Sequence, residues 1–162
     1  MRVQGCAVPA DGLLQTYVGQ GATYTDCFEV MAPCAVTLPD FITAFYTTWL
    51  FRLERFVLSL VLRRRFTDDD VHALAQGADR FAAWRVARRD DAQILLCELS
   101  GHTRSYLAVS AKEGGETRLI FGSAVVPARG KPLCRIVAAF TPLHRVYSKA
   151  LLQLAMRKLR EN

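Results

Sequence analysis

Residues 81–126 read FAAWRVARRDDAQILLCELSGHTRSYLAVSAKEGGETRLIFGSAVV, and the period of their apolar residues decides the fold. FAAWRVARR, QILLCELS, TRSYLAV and TRLIFGSAVV each read as a strand. Asp90-Asp91, Gly101-His102 and KEGGE separate them, and each is a turn signal. Strands joined by turns this short form an antiparallel meander.

Hairpin pairing then sorts the side chains into two faces. One face is expected to carry Trp84, Val86, Leu95, Cys97, Leu99, Arg104, Tyr106, Ala108, Ile120, Gly122 and Ala124. The other carries Ile94, Leu96, Glu98, Ser105, Leu107, Val109, Leu119, Phe121, Ser123 and Val125. Both are largely apolar, whereas an antiparallel sheet usually shows one face to water. Something must therefore cover the second face, either the N-terminal segment or a partner subunit.

Outward from the meander, Thr141-Pro142 predicts a helix running to about Arg160. Its Leu143, Val146, Tyr147, Ala150, Leu151 and Leu154 recur at helical spacing. Upstream, YTDCFEVMA (residues 24–32) alternates as a strand, with Tyr24, Asp26, Phe28 and Val30 on one face. Thr37 is placed to cap a helix that has Pro39 and Asp40 in its first turn. FTDDDVHALAQG (residues 66–77) predicts another, with Thr67 as cap and Gly77 as stop. The class is α+β, with helices inserted between strand 1 and the meander and a long helix at the C-terminus. Residues 1–21 read as an irregular segment with one short strand at 13–18, and 22–162 as a single domain.

WLFRLERFVLSLVLRRR (residues 49–65) tests that reading. The stretch from Phe41 to Leu62 is long enough for a membrane span, but Arg52, Glu54 and Arg55 sit at its middle. Each central charge costs about 2.5–3.5 kcal/mol on insertion scales. At 100° per residue, Arg52, Arg55, Ser59 and Arg63 form a polar stripe, opposite Leu50, Leu53, Val57, Leu60 and Val61. The expectation is a core helix with one wet edge. Glu54 projects onto the apolar side, near Leu58, either reaching solvent or Arg65, or buried and in need of a partner.

On the first sheet face, Ala108, Gly122 and Ala124 are small enough to leave volume, while Trp84 and Tyr106 would form walls. Arg104 among them needs a carboxylate, such as Glu54 or Asp26, or an anionic ligand. A cavity with apolar walls and few polar groups is the usual form of a small-molecule site. Asp26, Glu54, Trp84, Arg104 and Tyr106 are therefore the candidate ligand-binding residues.

The order strand, helices, meander, long helix, opening with FEVMAPCAVTLPDFITAFY, resembles the START-like, polyketide-cyclase-like superfamily (SRPBCC, helix-grip fold). Its members commonly end the first strand in an Ala-Pro pair, here Ala32-Pro33. YTDC, RLER, HTRSYL and FGSAVV are similar to a bacterial family of unknown function placed near that superfamily. The resemblance covers about residues 22–160. It implies a curved antiparallel sheet gripping the C-terminal helix, with an apolar ligand between them, and it carries over no catalytic residue. Five or six strands are legible here where seven are usual, and the helical segment is longer.

The remaining features exclude more than they assign. A net charge of +6 suits anionic partners, yet Arg63-Arg64-Arg65 and Arg157, Lys158 and Arg160 stand at helix C-termini, which favour cations on their own. The aromatics follow core periodicities instead of interleaving with basic residues, which argues against nucleic acid. Peripheral contact with acidic lipid is the weaker alternative. Cys6, Cys27, Cys34, Cys97 and Cys134 show no C-x-x-C spacing, so reduced thiols and a cytoplasmic setting are expected. The opening MRVQGC leaves too few residues before Cys6 for a lipoprotein signal. His72, His102 and His144 have no metal-ligand spacing, and Asp68, Asp69 and Asp70 suit a helix N-terminus better than calcium. No metal or cofactor is expected. Cys97 or Ser105 with His102 lacks a nucleophile elbow, so no hydrolase is assigned. Chemistry, if present, would be acid/base work by one of the carboxylates. The competing expectation is an interaction module that forms a homodimer through its second apolar sheet face, around Phe121.

Overall fold

The computed structural model describes residues 2–63, 65–127 and 135–161, with side chains for all of these but 57, 58, 61, 62 and 135–141. Cys134, Arg64 and the side chains of Val57, Leu58 and Val61 therefore lie outside the described residues. Seven strands make one antiparallel sheet in the order β1-β2-β7-β6-β5-β4-β3. They are β1 (Gln4–Gly5), β2 (Tyr24–Ala32), β3 (Arg80–Phe81), β4 (Trp84–Arg89), β5 (Gln93–Glu98), β6 (Thr103–Ala111) and β7 (Thr117–Val125). The two strands the sequence reading lacked, β1 and β3, are two residues each, too short to show a period.

Three helices stand between β2 and β3: α1 (Leu38–Tyr46), α2 (Trp49–Leu62) and α3 (Asp68–Ala75). Thr37 and Asp40 form a reciprocal capping box on α1, and Thr67 and Asp70 another on α3. Thr48 caps α2 by accepting from Phe51 N at 3.3 Å. The last helix, α4 (Arg135–Glu161), contains Pro142 instead of starting there. The Thr-Pro signal marked a tolerated interior proline, which forfeits one backbone bond without ending the helix.

The curved sheet holds α1 and α4 against one face, and this grip face carries the main core. Phe28, Phe121, Leu107 and Ile94 pair across four strands and pack under Phe41, Phe45, Leu151 and Leu152. Phe121 is thus a core residue, which removes the surface on which the sheet-face homodimer relied. The outer face is covered by the chain's own N-terminal segment. Residues Leu13–Tyr17 are a 3-10 turn, not a strand, and Leu13 and Leu14 pack on Cys27, Leu95, Tyr106, Ala108, Ile120 and Ala124.

Two expectations are corrected here. A bulge between Val86 and Arg88 shifts the pairing, so Trp84 lies opposite Glu98 and Val86 opposite Leu96, on the grip face. One extra residue reverses the parity of everything beyond it. Second, the small residues of the outer face do not line a hollow. A Cβ on Gly122 would come within 2.7 Å of Leu14 Cδ2 and 3.3 Å of Tyr106 Cδ1. Small side chains here permit close approach by the N-terminal turn.

Helix α2 is turned relative to its wheel. Arg55 is buried, donating to the Thr67 carbonyl at 2.7 Å and pairing with Asp68, which Arg52 also engages. The capped start of α3 offers a carboxylate and a carbonyl, which take the two terminal nitrogens of the guanidinium as it leaves water, while its Nε is buried without a partner among the described residues. Trp49, Leu53, Phe56 and Leu60 are in consequence exposed by 55–64%. No helix among the described residues is long and apolar enough to cross a membrane.

Candidate functional site

A cavity of about 550 Å³ lies on the grip face, bounded by the sheet, α1, α2 and α4. Phe45 and Tyr46 come from α1, and Leu50, Phe51 and Leu53 from α2. The sheet contributes Trp84, Ser105 and Phe121, while His144, Tyr147 and Leu151 descend from α4. His144, Tyr147, Ser148 and Leu151 recur at i, i+3, i+4 and i+7, which puts them on one side of that helix.

Polar side chains interrupt the apolar lining, and two clusters of them are hydrogen-bonded across it. Glu54 of α2 accepts a hydrogen bond from the Tyr147 hydroxyl. Burial pushes its carboxyl above the usual range, and the Tyr147 bond and the nearby His144 only partly oppose this. Burial and the Glu54 charge in turn raise the Tyr147 phenol. Beneath the same wall, Ser123 donates to Asp26 at 2.6 Å and lies 2.9 Å from His144 Nε2. The Asp26 side chain is only 6% exposed and also accepts from Tyr24 at 3.3 Å. Burial and the Asp26 charge push the Tyr24 phenol up to about 12.

Ser123, His144 and Asp26 do not form a hydrolytic triad. In a triad the carboxylate holds Nδ1 and leaves Nε2 to take the serine proton. Here Asp26 lies 3.8 Å from Nε2, the nitrogen that Ser123 also meets, and the serine hydroxyl is given to the carboxylate. The cluster is a hydrogen-bond hub that fixes the imidazole at the cavity wall. No group of three or more metal-ligating side chains occurs among the described residues.

No family model matches this sequence, and no curated protein matches it either. Several solved structures overlap it loosely, two of them as follows. The crystal structure of Ara h 8.0201 gives a TM-score of 0.43 at 7% identity, over 86% of this chain and 99% of that one. A conserved protein of unknown function, EF2215 from Enterococcus faecalis, gives 0.41 at 10% identity, over 88% of this chain and 86% of that one. Overlaps this loose carry nothing further; the fold rests on the chain's own strand order.

Of the five candidate residues, Glu54 and Trp84 stand on the cavity, and Asp26 lies behind Ser123. Arg104 and Tyr106 are not brought together with them. Arg104 touches the cavity edge, but its guanidinium turns to the outer face. There it donates to the Tyr17 hydroxyl at 2.9 Å and to the Gly101 carbonyl at 2.8 Å, and it stacks 5.0 Å from the Tyr17 ring centre. Tyr106 is buried under the N-terminal turn and donates to Gln93 at 2.9 Å, the same side-chain oxygen that accepts from Leu13 N at 3.0 Å. Sequence reasoning missed Ser123, His144 and Tyr147. A usable signal was present, because a serine on the Phe121 face and a histidine one turn ahead of a tyrosine are polar residues at inward positions.

Proposed function

We propose that this chain binds a small hydrophobic or amphipathic molecule in the cavity between its sheet and α4. The observation that carries this reading is the 550 Å³ space itself, which is walled by aromatics and broken by the Glu54–Tyr147 pair. Its volume falls within the roughly 300–1,000 Å³ common to small-molecule sites. Glu54 and Trp84 contact the ligand in this reading. Asp26 acts through Ser123 and His144, while Arg104 and Tyr106 anchor the N-terminal segment. Membership of the START-like superfamily agrees with the element order and with Ala32-Pro33. A cytoplasmic setting agrees with the reduced thiols of Cys6, Cys27, Cys34 and Cys97.

Native mass spectrometry of freshly purified protein tests the reading, by a mass excess that disappears on denaturation. A thermal shift with the neutral apolar probe N-phenyl-1-naphthylamine is the second arm. Leu50→Trp, which fills the cavity, is expected to remove both signals. A filled variant that still binds the probe equally well would overturn the assignment of the site.

A further inference from the structure

We infer that the cavity selects a cationic amphiphile, an aromatic or alkyl amine whose ammonium meets Glu54 while its apolar body lies among the aromatics. This rests on the ligand-binding reading above and adds to it the charge of the ligand. The argument starts from the inventory of charge around the space. Carboxylates come from Glu54 and Glu98, and the basic side chains are Arg104 and His144. The Arg104 guanidinium is committed to Tyr17 and to main-chain carbonyls on the opposite face of the sheet. The His144 ring faces Ser123 and Ser148, and its charge partner is Asp26, at 3.8 Å.

Glu54 is left with a single neutral donor, the Tyr147 hydroxyl, among the described residues. An ionised carboxylate has room for about four hydrogen bonds, so most of its accepting capacity is unused. A half-buried carboxylate is costly without a cation, and no cationic group among the described side chains is in ion-pair contact with it, His144 acting only from a distance. Trp84, Phe45 and Phe121 complete the fit, because ring faces attract ammonium groups that have shed water. Among the described residues, an anionic ligand would meet two carboxylates and no free guanidinium. This reverses the polarity that Arg104 suggested in the sequence.

Isothermal titration of the full chain at pH 7 with 4-phenylbutylamine, 4-phenylbutanol and 4-phenylbutanoate separates the outcomes. The amine is expected to bind at least about tenfold tighter than the alcohol, with the carboxylate weakest. Glu54→Gln should erase the amine's advantage, bringing its affinity down to that of the alcohol. An alcohol or carboxylate that binds as tightly as the amine overturns the charge assignment and leaves the binding site standing. Absence of binding by all three, together with no displacement of N-phenyl-1-naphthylamine, overturns the binding reading with it. The ratio in the unmodified protein decides by itself, so the test does not depend on the variant folding.

Discussion

The Tyr147 hydroxyl of α4 donates to the Glu54 carboxylate of α2, joining the two helices across the cavity. That carboxyl is held above its ordinary range by burial, so its proton is bound more tightly in the folded chain than in the unfolded one. Stability from this group is therefore complete at pH values below the ordinary carboxylate range and is lost as pH rises through the raised value. Tyr46 from α1, Tyr147 and His144 from α4 and Glu98 from the sheet are the titratable groups that face the same space, while the Arg104 guanidinium turns to the outer face. Glu54→Gln is expected to melt higher than the parent at pH 7, by roughly 2–4 °C for each kcal/mol recovered, and to match it near pH 4. Differential scanning calorimetry of both proteins between these values checks this. A variant that melts lower at pH 7 would show that ionised Glu54 stabilises the fold.

Asp68 carries the opposite sign. Its carboxyl is exposed to some desolvation, but the Arg55 and Arg52 guanidiniums outweigh that and hold it below its usual value. Its contribution is present at neutral pH and is lost as pH falls through the lowered value. Asp68→Asn leaves the buried Arg55 without a counter-charge. It is expected to cost about 3 kcal/mol at pH 7, and much less near pH 2, where the parent carboxylate is itself protonated. Urea titrations at both values test this, and an equal loss at each would remove the charge argument.

The meander, its turns, its class and the caps at Thr37 and Thr67 are legible because each depends on local chemistry, whereas Thr141-Pro142 lies inside a helix that starts earlier. The grip-face set from Ile94 to Ser123 followed from hairpin register alone. Trp84 was misplaced because a single bulged residue ahead of β5 is invisible to alternation. Arg104 and Tyr106 were read as cavity residues because small neighbours such as Gly122 can mean either space or close approach. Which applies depends on a segment more than a hundred positions away, in Leu13 and Leu14. Arg55 failed for a related reason. Its burial depends on a carboxylate at the start of the next helix, which a helical wheel does not contain.

Close approach at Gly122 predicts a specific coupling. Gly122→Ala drives a methyl group to within contact of Leu14, and overpacking of this kind costs about 1–3 kcal/mol. Leu14→Ala leaves a void in the outer cluster and costs about 2–5 kcal/mol. In the double variant the new methyl enters the space left by the leucine, so the combined loss should fall short of the sum by about 1 kcal/mol or more. Chemical denaturation of the four proteins closes the cycle. Strict additivity would mean that Leu14 does not rest on Gly122.

Cys6 and Cys27 supply the last test of the N-terminal segment. Their sulfurs are 3.4 Å apart and Cys6 N donates to the Cys27 carbonyl at 3.0 Å, so the two thiols already share a hydrogen bond. That bond lowers the Cys6 thiol and, with burial, raises Cys27, so Cys6 is the readier of the two to lose its proton and attack. Diamide takes up two electrons and two protons as a disulfide forms, and it is expected to link this pair ahead of Cys34 and Cys97. The closed loop contains the turn that covers the outer face. Cross-linking it should stabilise the chain by about 3 kcal/mol in the loop-entropy account. Peptide mapping of the oxidised protein identifies the pair, and a Cys27→Ser variant should show neither the cross-link nor the gain in melting temperature. A disulfide found elsewhere, or a cross-linked chain that melts lower, would mean that the segment does not rest against β2 as described.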